Sequence, residues 1–349
     1  MNTNKLLVVF VLIAAVGLGV YFYLNSGSVK KVVSSQVQNS KELPPLSIEY
    51  MRKKQYPGSD ITIEQTLPPG SNYQQYITSY KSDGLKIYAL LTVPQKDSLA
   101  AHQDDNRKYP VIVFNHGYIP PAEYRTTERY SAYTDAFSRN GYIVFKPDYR
   151  GHGNSEGNPE GAYYSPAYTV DVLNALSSIK KFKDADPERI GMWGHSMGGN
   201  VTLRSMVVSK DVKAGVIWAG VVASYEDLAK NWRRSRPFVP SQRELEFRRP
   251  GRQALIDKYG DFDQNPAFWQ SIAPISYVKD ISGPVQIHHG TADEQVPLLF
   301  SERLDEALKN AGKTVEFYTY PGADHNISGS SFNQAMQRSV EFFDKYLKK

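Results

Sequence analysis

A serine lies at the centre of the glycine-rich hexapeptide Gly194–Gly199, which joins an apolar stretch to a helix-forming one. Strand, sharp turn and helix in this order are the context of a nucleophile elbow, where a serine hydroxyl stands exposed on a strained turn. Gly194 and Gly198 lie two residues before and two residues after the serine, and their lack of a Cβ lets strand and helix approach. Ser196 is therefore the candidate nucleophile.

Because a serine hydroxyl is a weak nucleophile near neutral pH, it needs a base and a group that orients the base. Asp293 occurs in a loop after a later apolar stretch, and His325 occurs in a turn after an alternating one. The order Ser, Asp, His is that of α/β-hydrolases. We expect His325 to be the general base and Asp293 to orient it, with Glu294 and Asp324 as lesser candidates for the acid.

An oxyanion site would combine two backbone amides, one directly after the nucleophile and one from the loop after the third core strand. Met197 follows the candidate nucleophile. The short apolar stretch Pro110–Asn115 predicts that strand, and it runs into His116, Gly117 and Tyr118. We expect the amides of Met197 and Tyr118 to hold the oxyanion, and His116 to brace the loop.

From about Tyr73 onward the chain resembles the α/β-hydrolase superfamily, and especially the catalytic domain of prolyl oligopeptidase-like serine hydrolases. The matching segments are Asn115–Gly117, Asp148–Ser155, Gly194–Gly199, Gly290–Asp293 and Gly322–His325. The resemblance implies a serine hydrolase that cleaves an ester or peptide bond through an acyl-enzyme. Its motifs are specific to the superfamily but do not name the substrate.

Two departures favour an esterase over a peptidase. Large prolyl oligopeptidases carry a β-propeller, for which this chain has neither the length nor a repeat. The resemblance also implies a tyrosine hydroxyl in the oxyanion hole, where we align Asn115. The alternatives are a prolyl oligopeptidase-like peptidase, an acyltransferase, and a membrane-anchored binding module that kept the fold without chemistry.

The predicted fold is a mostly parallel eight-stranded sheet with helices on both faces. Its strands are expected at about Tyr76–Tyr80, Leu85–Val93, Val111–Asn115, Tyr142–Pro147, Ile190–Gly194, Ala214–Ala219, Val285–His289 and Val315–Tyr320. Amphipathic stretches such as Ala167–Phe182 and Ser301–Ala311 suit crossover helices over a parallel sheet. This catalytic domain is expected to span residues 61–349.

A small helical cap is expected at about 224–278, inserted at the carboxyl edge of the sheet, where sites form. Its aromatic residues could line a pocket or pack the cap onto the body; they are Trp232, Phe238, Phe247 and Trp269. Its arginines could attract an anion or form a solvated face; they are Arg233, Arg234, Arg236, Arg248, Arg249 and Arg252.

The N-terminal stretch Leu6–Leu24 has no charge and is long enough to cross a bilayer as a helix. Because its end is bulky and aromatic, an uncleaved anchor over residues 1–24 is favoured over a signal peptide. Residues 25–60, rich in Ser, Gln, Lys and Pro, predict a flexible tether. Glycosylation patterns at Asn200 and Asn326 would put glycans at the site, which favours a bacterial cell envelope with the enzyme outside the cytoplasm.

Neither a cofactor nor a metal site is expected, because the adjacent His288 and His289 would point to opposite faces of a strand. A formal charge of +5 with no recognisable module argues against nucleic-acid binding. The expected partners are a small-molecule ester or peptide substrate and, through the anchor, a membrane. The sequence leaves the oligomeric state open.

Overall fold

A nine-stranded sheet forms the centre of the domain. The computed structural model describes residues 43–95, 108–232 and 251–348. The strands are β1 (Thr62–Leu67), β2 (Tyr73–Ser82), β3 (Leu85–Pro94), β4 (Tyr109–Asn115), β5 (Ile143–Pro147), β6 (Ala185–His195), β7 (Ala214–Trp218), β8 (Val285–Gly290) and β9 (Val315–Tyr320). Their order across the sheet is β1-β2-β3-β5-β4-β6-β7-β8-β9.

The sheet changes from antiparallel to parallel at β5. β1, β2, β3 and β5 pair in antiparallel register, whereas every pair from β5 through β4, β6, β7 and β8 to β9 is parallel. The strands β4, β5, β7 and β8 are short and almost entirely buried, as expected for parallel strands that are covered on both faces. The carboxyl ends of the parallel strands therefore meet at one edge of the sheet. At this edge β6 leads into the elbow at Ser196, β8 into the loop that carries Asp293 (the acid loop), and β9 into the loop that carries His325 (the base loop).

Helices cover both faces of the sheet and bury an apolar core on each. The helices in the described ranges are α1 (Ile48–Lys53), α2 (Ser131–Arg139), α3 (Ala167–Ile179), α4 (Met197–Val208), α5 (Tyr225–Lys230), α6 (Arg252–Tyr259), α7 (Pro266–Ile272), α8 (Leu298–Asn310) and α9 (Ser330–Leu347). Side chains of α3, α4 and α8 join the core on one face, and those of α2 and α9 join the core on the other. The predicted fold class is confirmed.

The strand β1 was not predicted. All of its residues from Thr62 to Thr66 are exposed, so its sequence carries no apolar alternation. β1 is an edge strand that pairs only with β2, and backbone hydrogen bonds rather than side-chain burial define it. The sheet therefore has one strand more than the eight expected.

The predicted tether over residues 25–60 is too long, because the folded unit begins at Pro45. Ser47 caps α1 by accepting a hydrogen bond from the Tyr50 amide at 3.2 Å, and α1 buries Ile48 and Met51. Arg52 of α1 donates to the carbonyl of Val207 at 2.7 and 2.9 Å. Burial and hydrogen bonding thus fix a segment that composition alone assigned to a tether.

The cap region is helical where it is described, with α5, α6, α7 and a 3₁₀ helix over Pro274–Asp280. Trp269 is buried with Leu46 and Tyr225, so it packs the cap onto the body. Trp232 donates from Nε1 to the carbonyl of Gln295, in the loop that carries the candidate acid. Phe238, Phe247 and the arginines from 233 to 249 lie outside the described ranges.

No helix within the described ranges is long and apolar enough to cross a bilayer. The predicted anchor over residues 1–24 lies outside those ranges, as do residues 25–42 of the predicted tether.

Candidate active site

Ser196 lies between the last residue of β6 and the first residue of α4, as the elbow motif predicts. Its backbone has φ 54° and ψ −117°, a conformation that side-chain-bearing residues rarely adopt. The end of β7 and the loop after it hold Ser196 in this conformation. The Ser196 amide donates to the carbonyl of Trp218 at 2.9 Å, and the Ser196 carbonyl accepts from the Val221 amide at 3.1 Å. The turn is therefore fixed by hydrogen bonds that do not involve the serine hydroxyl.

The elbow glycines are required by close backbone contacts. A Cβ at Gly194 would lie 2.3 Å from the carbonyl oxygen of Gly198, and a Cβ at Gly198 would lie 1.9 Å from that of Asn115. Real Cβ atoms do not come so close to backbone atoms, so α4 can approach β6 only with glycine at position 194 and the end of β4 only with glycine at position 198.

Asp293 and His325 meet after β8 and β9. Asp293 Oδ2 accepts from His325 Nδ1 at 2.7 Å, and the two side chains are 1% and 7% exposed. Asp293 Oδ1 accepts from the backbone amides of Gln295 and Val296 at 2.8 and 2.9 Å. Burial alone would raise the Asp293 pKa, but hydrogen bonds from His289 and His325 hold it well below its usual range. Asp293 is therefore a carboxylate at neutral pH.

Asp324, one of the lesser candidate acids, does not take this position. Asp324 accepts from the backbone amide and hydroxyl of Ser328 at 2.8 and 3.1 Å, so it closes the turn after β9. Among the described residues, the carboxylate that hydrogen-bonds to the His325 ring belongs to Asp293.

The base loop is attached to the elbow through His195, the residue before Ser196. His195 Nε2 lies 3.0 Å from the carbonyl oxygen of His325, and the two ring centroids are 4.6 Å apart. The elbow and the base loop, which are 130 residues apart in sequence, are thus in direct contact.

The loop after β4 also lies against the elbow. A Cβ at Gly117 would lie 3.3 Å from Cβ of Ser196, so the Gly117–Tyr118 peptide runs beside the candidate nucleophile. Met197 is the first residue of α4, where amides have no partner within the helix. The two amides expected to hold an oxyanion therefore belong to segments that both lie next to Ser196.

Asn115, which we aligned with the tyrosine of large prolyl oligopeptidases, does not expose its side chain at the elbow. Its side chain is fully buried, and its Nδ2 donates to Thr202 Oγ1 of α4 at 2.7 Å. Asn115 is still within β4 and therefore joins that strand to α4 beneath the elbow. Tyr118 comes three residues later, and its side chain is 38% exposed.

Three residues at the site were missed in the sequence. His289 lies 3.1 Å from Asp293 Oδ2, and its position one residue after His288 in β8 already implied that it would point to the other face. His195 belongs to the elbow motif but was given no role. Tyr130 lies 2.7 Å from His195 through its hydroxyl, and no sequence pattern distinguishes it from the other tyrosines.

Two family models match consecutive parts of the chain. The model described as serine aminopeptidase, S33, matches residues 107–243, which contain Ser196. The model of the prolyl oligopeptidase family matches residues 253–349, which contain Asp293 and His325.

A curated relative is the uncharacterized peptidase YtmA of Bacillus subtilis, 24% identical over 74% of this chain and 88% of its own length. Among solved structures, acylaminoacyl peptidase from Pyrococcus horikoshii superposes with a TM-score of 0.61 at 24% identity, covering 80% of this chain and 43% of that protein. Est1E from Butyrivibrio proteoclasticus, bound to ferulic acid, superposes with a TM-score of 0.57 at 21% identity, covering 78% of this chain and 99% of Est1E.

The chain spans only about two fifths of several of the peptidases whose structures it resembles. The superposed part covers about four fifths of this chain. The two family matches and this fold support an α/β-hydrolase domain of the prolyl oligopeptidase type, and hence a serine hydrolase.

Proposed function

We propose that this protein is a carboxylesterase that works through an acyl-enzyme on Ser196. His325 is the general base, Asp293 orients it, and the amides of Met197 and Tyr118 hold the oxyanion. The observation that carries the proposal is the buried 2.7 Å hydrogen bond between Asp293 Oδ2 and His325 Nδ1, on a loop that touches the residue before Ser196.

This hydrogen bond sets the tautomer of the base. Because a carboxylate can only accept, His325 Nδ1 carries the hydrogen and Nε2 of the neutral ring is left to take a proton. Nε2 removes the proton of Ser196 as its Oγ attacks the substrate carbonyl, and returns the proton to the departing alcohol. Water then attacks the acyl-enzyme by the same route and releases the acid.

Ester cleavage is favoured over peptide cleavage by the extent of the structural matches. Est1E is matched over 99% of its length, so almost all of that protein superposes on this chain. Est1E binds ferulic acid, a small carboxylic acid. Acylaminoacyl peptidase is matched over only 43%. We therefore propose a small-molecule ester substrate, with a peptidase as the alternative that the names of YtmA and the S33 family support.

The test combines Ser196→Ala with a fluorophosphonate probe. We expect the variant to keep the wild-type circular dichroism spectrum, to lose probe labelling, and to hydrolyse p-nitrophenyl butyrate about 10⁴-fold more slowly. Thr202→Ser is a control on the same helix, since it keeps a hydroxyl for Asn115. Near wild-type hydrolysis by Ser196→Ala would refute the mechanism, and a folded wild-type protein that the probe never labels would favour a binding module.

The choice between ester and amide needs a matched pair of substrates. The p-nitrophenyl ester and the p-nitroanilide of one acyl group present the same acid with different leaving groups. We expect the ratio of kcat/KM for the ester to kcat/KM for the anilide to be larger than the ratio of the rates at which hydroxide hydrolyses the two compounds without enzyme. A ratio in favour of the anilide would reverse the ranking.

We also propose that Leu6–Leu24 anchors the protein in a membrane, with the hydrolase outside the cytoplasm. Nineteen consecutive uncharged residues before a polar segment support this. The full chain should stay in the membrane pellet after alkaline carbonate extraction, and external protease should digest it in spheroplasts. Release by carbonate would contradict the anchor.

A further inference from the structure

A chain of three hydrogen bonds links the loop after β4 to the base loop through the elbow. The amide of Gly117 lies 2.9 Å from the Tyr130 hydroxyl, which lies 2.7 Å from His195 Nδ1. His195 Nε2 lies 3.0 Å from the carbonyl oxygen of His325. Tyr130 and His195 are thus the two side chains between the peptide beside Ser196 and the proposed base.

The direction of each hydrogen bond follows from the atoms. The amide of Gly117 can only donate, so the Tyr130 oxygen accepts there. The carbonyl of His325 can only accept, so His195 Nε2 carries a hydrogen. Burial lowers the pKa of His195 to about 3, so its ring is neutral at neutral pH and Nδ1 is bare. Tyr130 therefore donates to His195 Nδ1, and each donor in the chain is used once.

Backbone strain accompanies the position of Tyr130. Arg129 and Tyr130 are consecutive residues with φ 58° and φ 54°, in the left-handed region. Such conformations cost about 1–2 kcal/mol for each residue that carries a side chain. Tyr130 precedes α2 but makes no side-chain hydrogen bond that caps it. Instead, this backbone directs the phenol toward Gly117 and His195.

The chain of hydrogen bonds bears on the proposed oxyanion amide through the two successive peptide planes that meet at Gly117. The carbonyl of Gly117 and the amide of Tyr118 belong to the same planar group and point in opposite directions. His116 Nδ1 lies 2.7 Å from the Gly117 carbonyl oxygen, and Tyr130 holds the Gly117 amide. With both polar groups of Gly117 fixed, the direction of the Tyr118 amide is fixed as well.

We propose that Tyr130 and His195 are positioning residues that set the Tyr118 amide and the His325 ring relative to Ser196. The inference rests on the proposed esterase function. Neither side chain touches the reacting atoms in this scheme; each acts through a backbone group, Tyr130 through the Gly117 amide and His195 through the His325 carbonyl. Their contribution should therefore appear in the transition state more than in substrate binding.

Tyr130→Phe is the first test, since it removes the hydroxyl and keeps the ring in contact with Phe114 and Trp193. We expect kcat for p-nitrophenyl butyrate to fall about 30-fold with KM within about twofold of wild type. The inhibition constant of butylboronic acid, which forms a tetrahedral adduct with serine, should rise about tenfold. Tyr73→Phe is the matched control, because it removes a 2.9 Å hydrogen bond to Asp135 of the same helix, α2, and should leave both quantities unchanged.

Two replacements of His195 separate its hydrogen bond with the Tyr130 hydroxyl from its hydrogen bond with the His325 carbonyl. The amide of Asn reaches the position of Nδ1, so His195→Asn keeps an acceptor for Tyr130; the amide of Gln reaches that of Nε2, so His195→Gln keeps a donor to His325. Adding Tyr130→Phe should then cost the full 30-fold in the Asn background and a clearly smaller factor in the Gln background, where the Tyr130 hydroxyl keeps the Gly117 amide but no longer has a partner at the position of Nδ1. Equal costs in both backgrounds would overturn the coupling.

Fluorophosphonate labelling distinguishes failure of the inference from failure of the proposed function. If wild-type Ser196 is labelled and Tyr130→Phe keeps kcat and the boronate constant within about twofold, the positioning role is refuted and the esterase mechanism stands. If Tyr130→Phe loses activity only in proportion to its unfolded fraction, the role is structural and the inference is also refuted. Absence of labelling in folded wild-type protein would overturn both.

Discussion

Asp293 and His289 are joined by a buried contact of 3.1 Å between Oδ2 and Nε2. The same Asp293 oxygen accepts from His325, so two imidazoles converge on it from β8 and the base loop. His289 Nε2 is also 3.0 Å from the carbonyl of Val296, and its Nδ1 lies 2.7 Å from the hydroxyl of Ser301. Because a carbonyl and a carboxylate only accept, Nε2 of His289 carries the hydrogen and Ser301 donates to Nδ1.

Asp293→Asn should reduce kcat by about 10³-fold, because an amide can donate to Nδ1 and so favours the wrong tautomer of His325. Steady-state hydrolysis of p-nitrophenyl butyrate measures kcat. Glu294→Gln changes the neighbouring acid and Asp324→Asn changes the one beside His325; each should keep kcat within about threefold. A large loss in either control with little loss in Asp293→Asn would assign the acid differently.

His289→Leu should lower kcat by about tenfold and destabilise the protein by about 1–3 kcal/mol. The substitution removes one donor from the Asp293 carboxylate and leaves the buried carbonyl of Val296 and hydroxyl of Ser301 without that partner. Urea unfolding and ester hydrolysis on the same preparation give both quantities. A variant of unchanged stability and rate would mean that His325 and the backbone amides suffice to hold Asp293.

Gly198→Ala should abolish activity and destabilise the fold by about 3 kcal/mol, because the new Cβ would meet backbone oxygen rather than a movable side chain. Differential scanning calorimetry and probe labelling measure the two effects. Gly251→Ala is the control, since its Cβ would meet only a Tyr164 ring carbon at 3.6 Å, an ordinary contact. Equal behaviour of the two variants would show that the contact between α4 and the end of β4 tolerates a side chain.

Lys146→Met should remove a pH dependence of stability. Lys146 is buried in β5, and burial lowers its pKa to about 8, below the 10.5 of an exposed lysine. Between these values the unfolded chain holds a proton that the folded protein has released, so the free energy of unfolding rises with pH. The expected slope is about 1.4 kcal/mol per pH unit for one proton.

Urea unfolding at pH 8.0, 8.5, 9.0 and 9.5 tests this slope in wild type and Lys146→Met. Burial also raises the pKa of Asp148, two residues along, to about 6, so Asp148 is ionised throughout this range and adds no slope. Lys309→Met, at a side chain that is 62% exposed, should keep the wild-type slope. Parallel pH curves for wild type and Lys146→Met would exclude Lys146 as the group that titrates.

The parallel strands and the elbow could be predicted because each has a local signal. β9 has the predicted bounds, and the other predicted strands overlap observed ones, since apolar runs between turn residues are typical of buried strands. The glycines of Gly194–Gly199 constrain the backbone in any fold where a strand meets a helix so sharply. Ser196 therefore needed no structure to become the candidate.

The remainder depended on contacts between distant segments. β1 is recognisable only by its pairing with β2, and α1 only by the surface that covers Ile48 and Met51. Tyr130 contacts His195 across 65 residues, and neither side chain belongs to a pattern that would join them. The role of Asn115 likewise appears only in the structure, where its buried side chain donates to Thr202 of α4, 87 residues away.

The attachment of α1 determines where the catalytic part of the chain can be cut. Arg52 satisfies the carbonyl of Val207 in the last turn of the elbow helix and also pairs with Asp280 at 3.0 Å, while the carbonyl of Leu46 accepts from the buried guanidinium of Arg204 at 3.2 Å. A fragment starting at residue 61 would strip these partners from the helix that carries Ser196. Recombinant versions of the hydrolase should therefore retain residues from 45 onward.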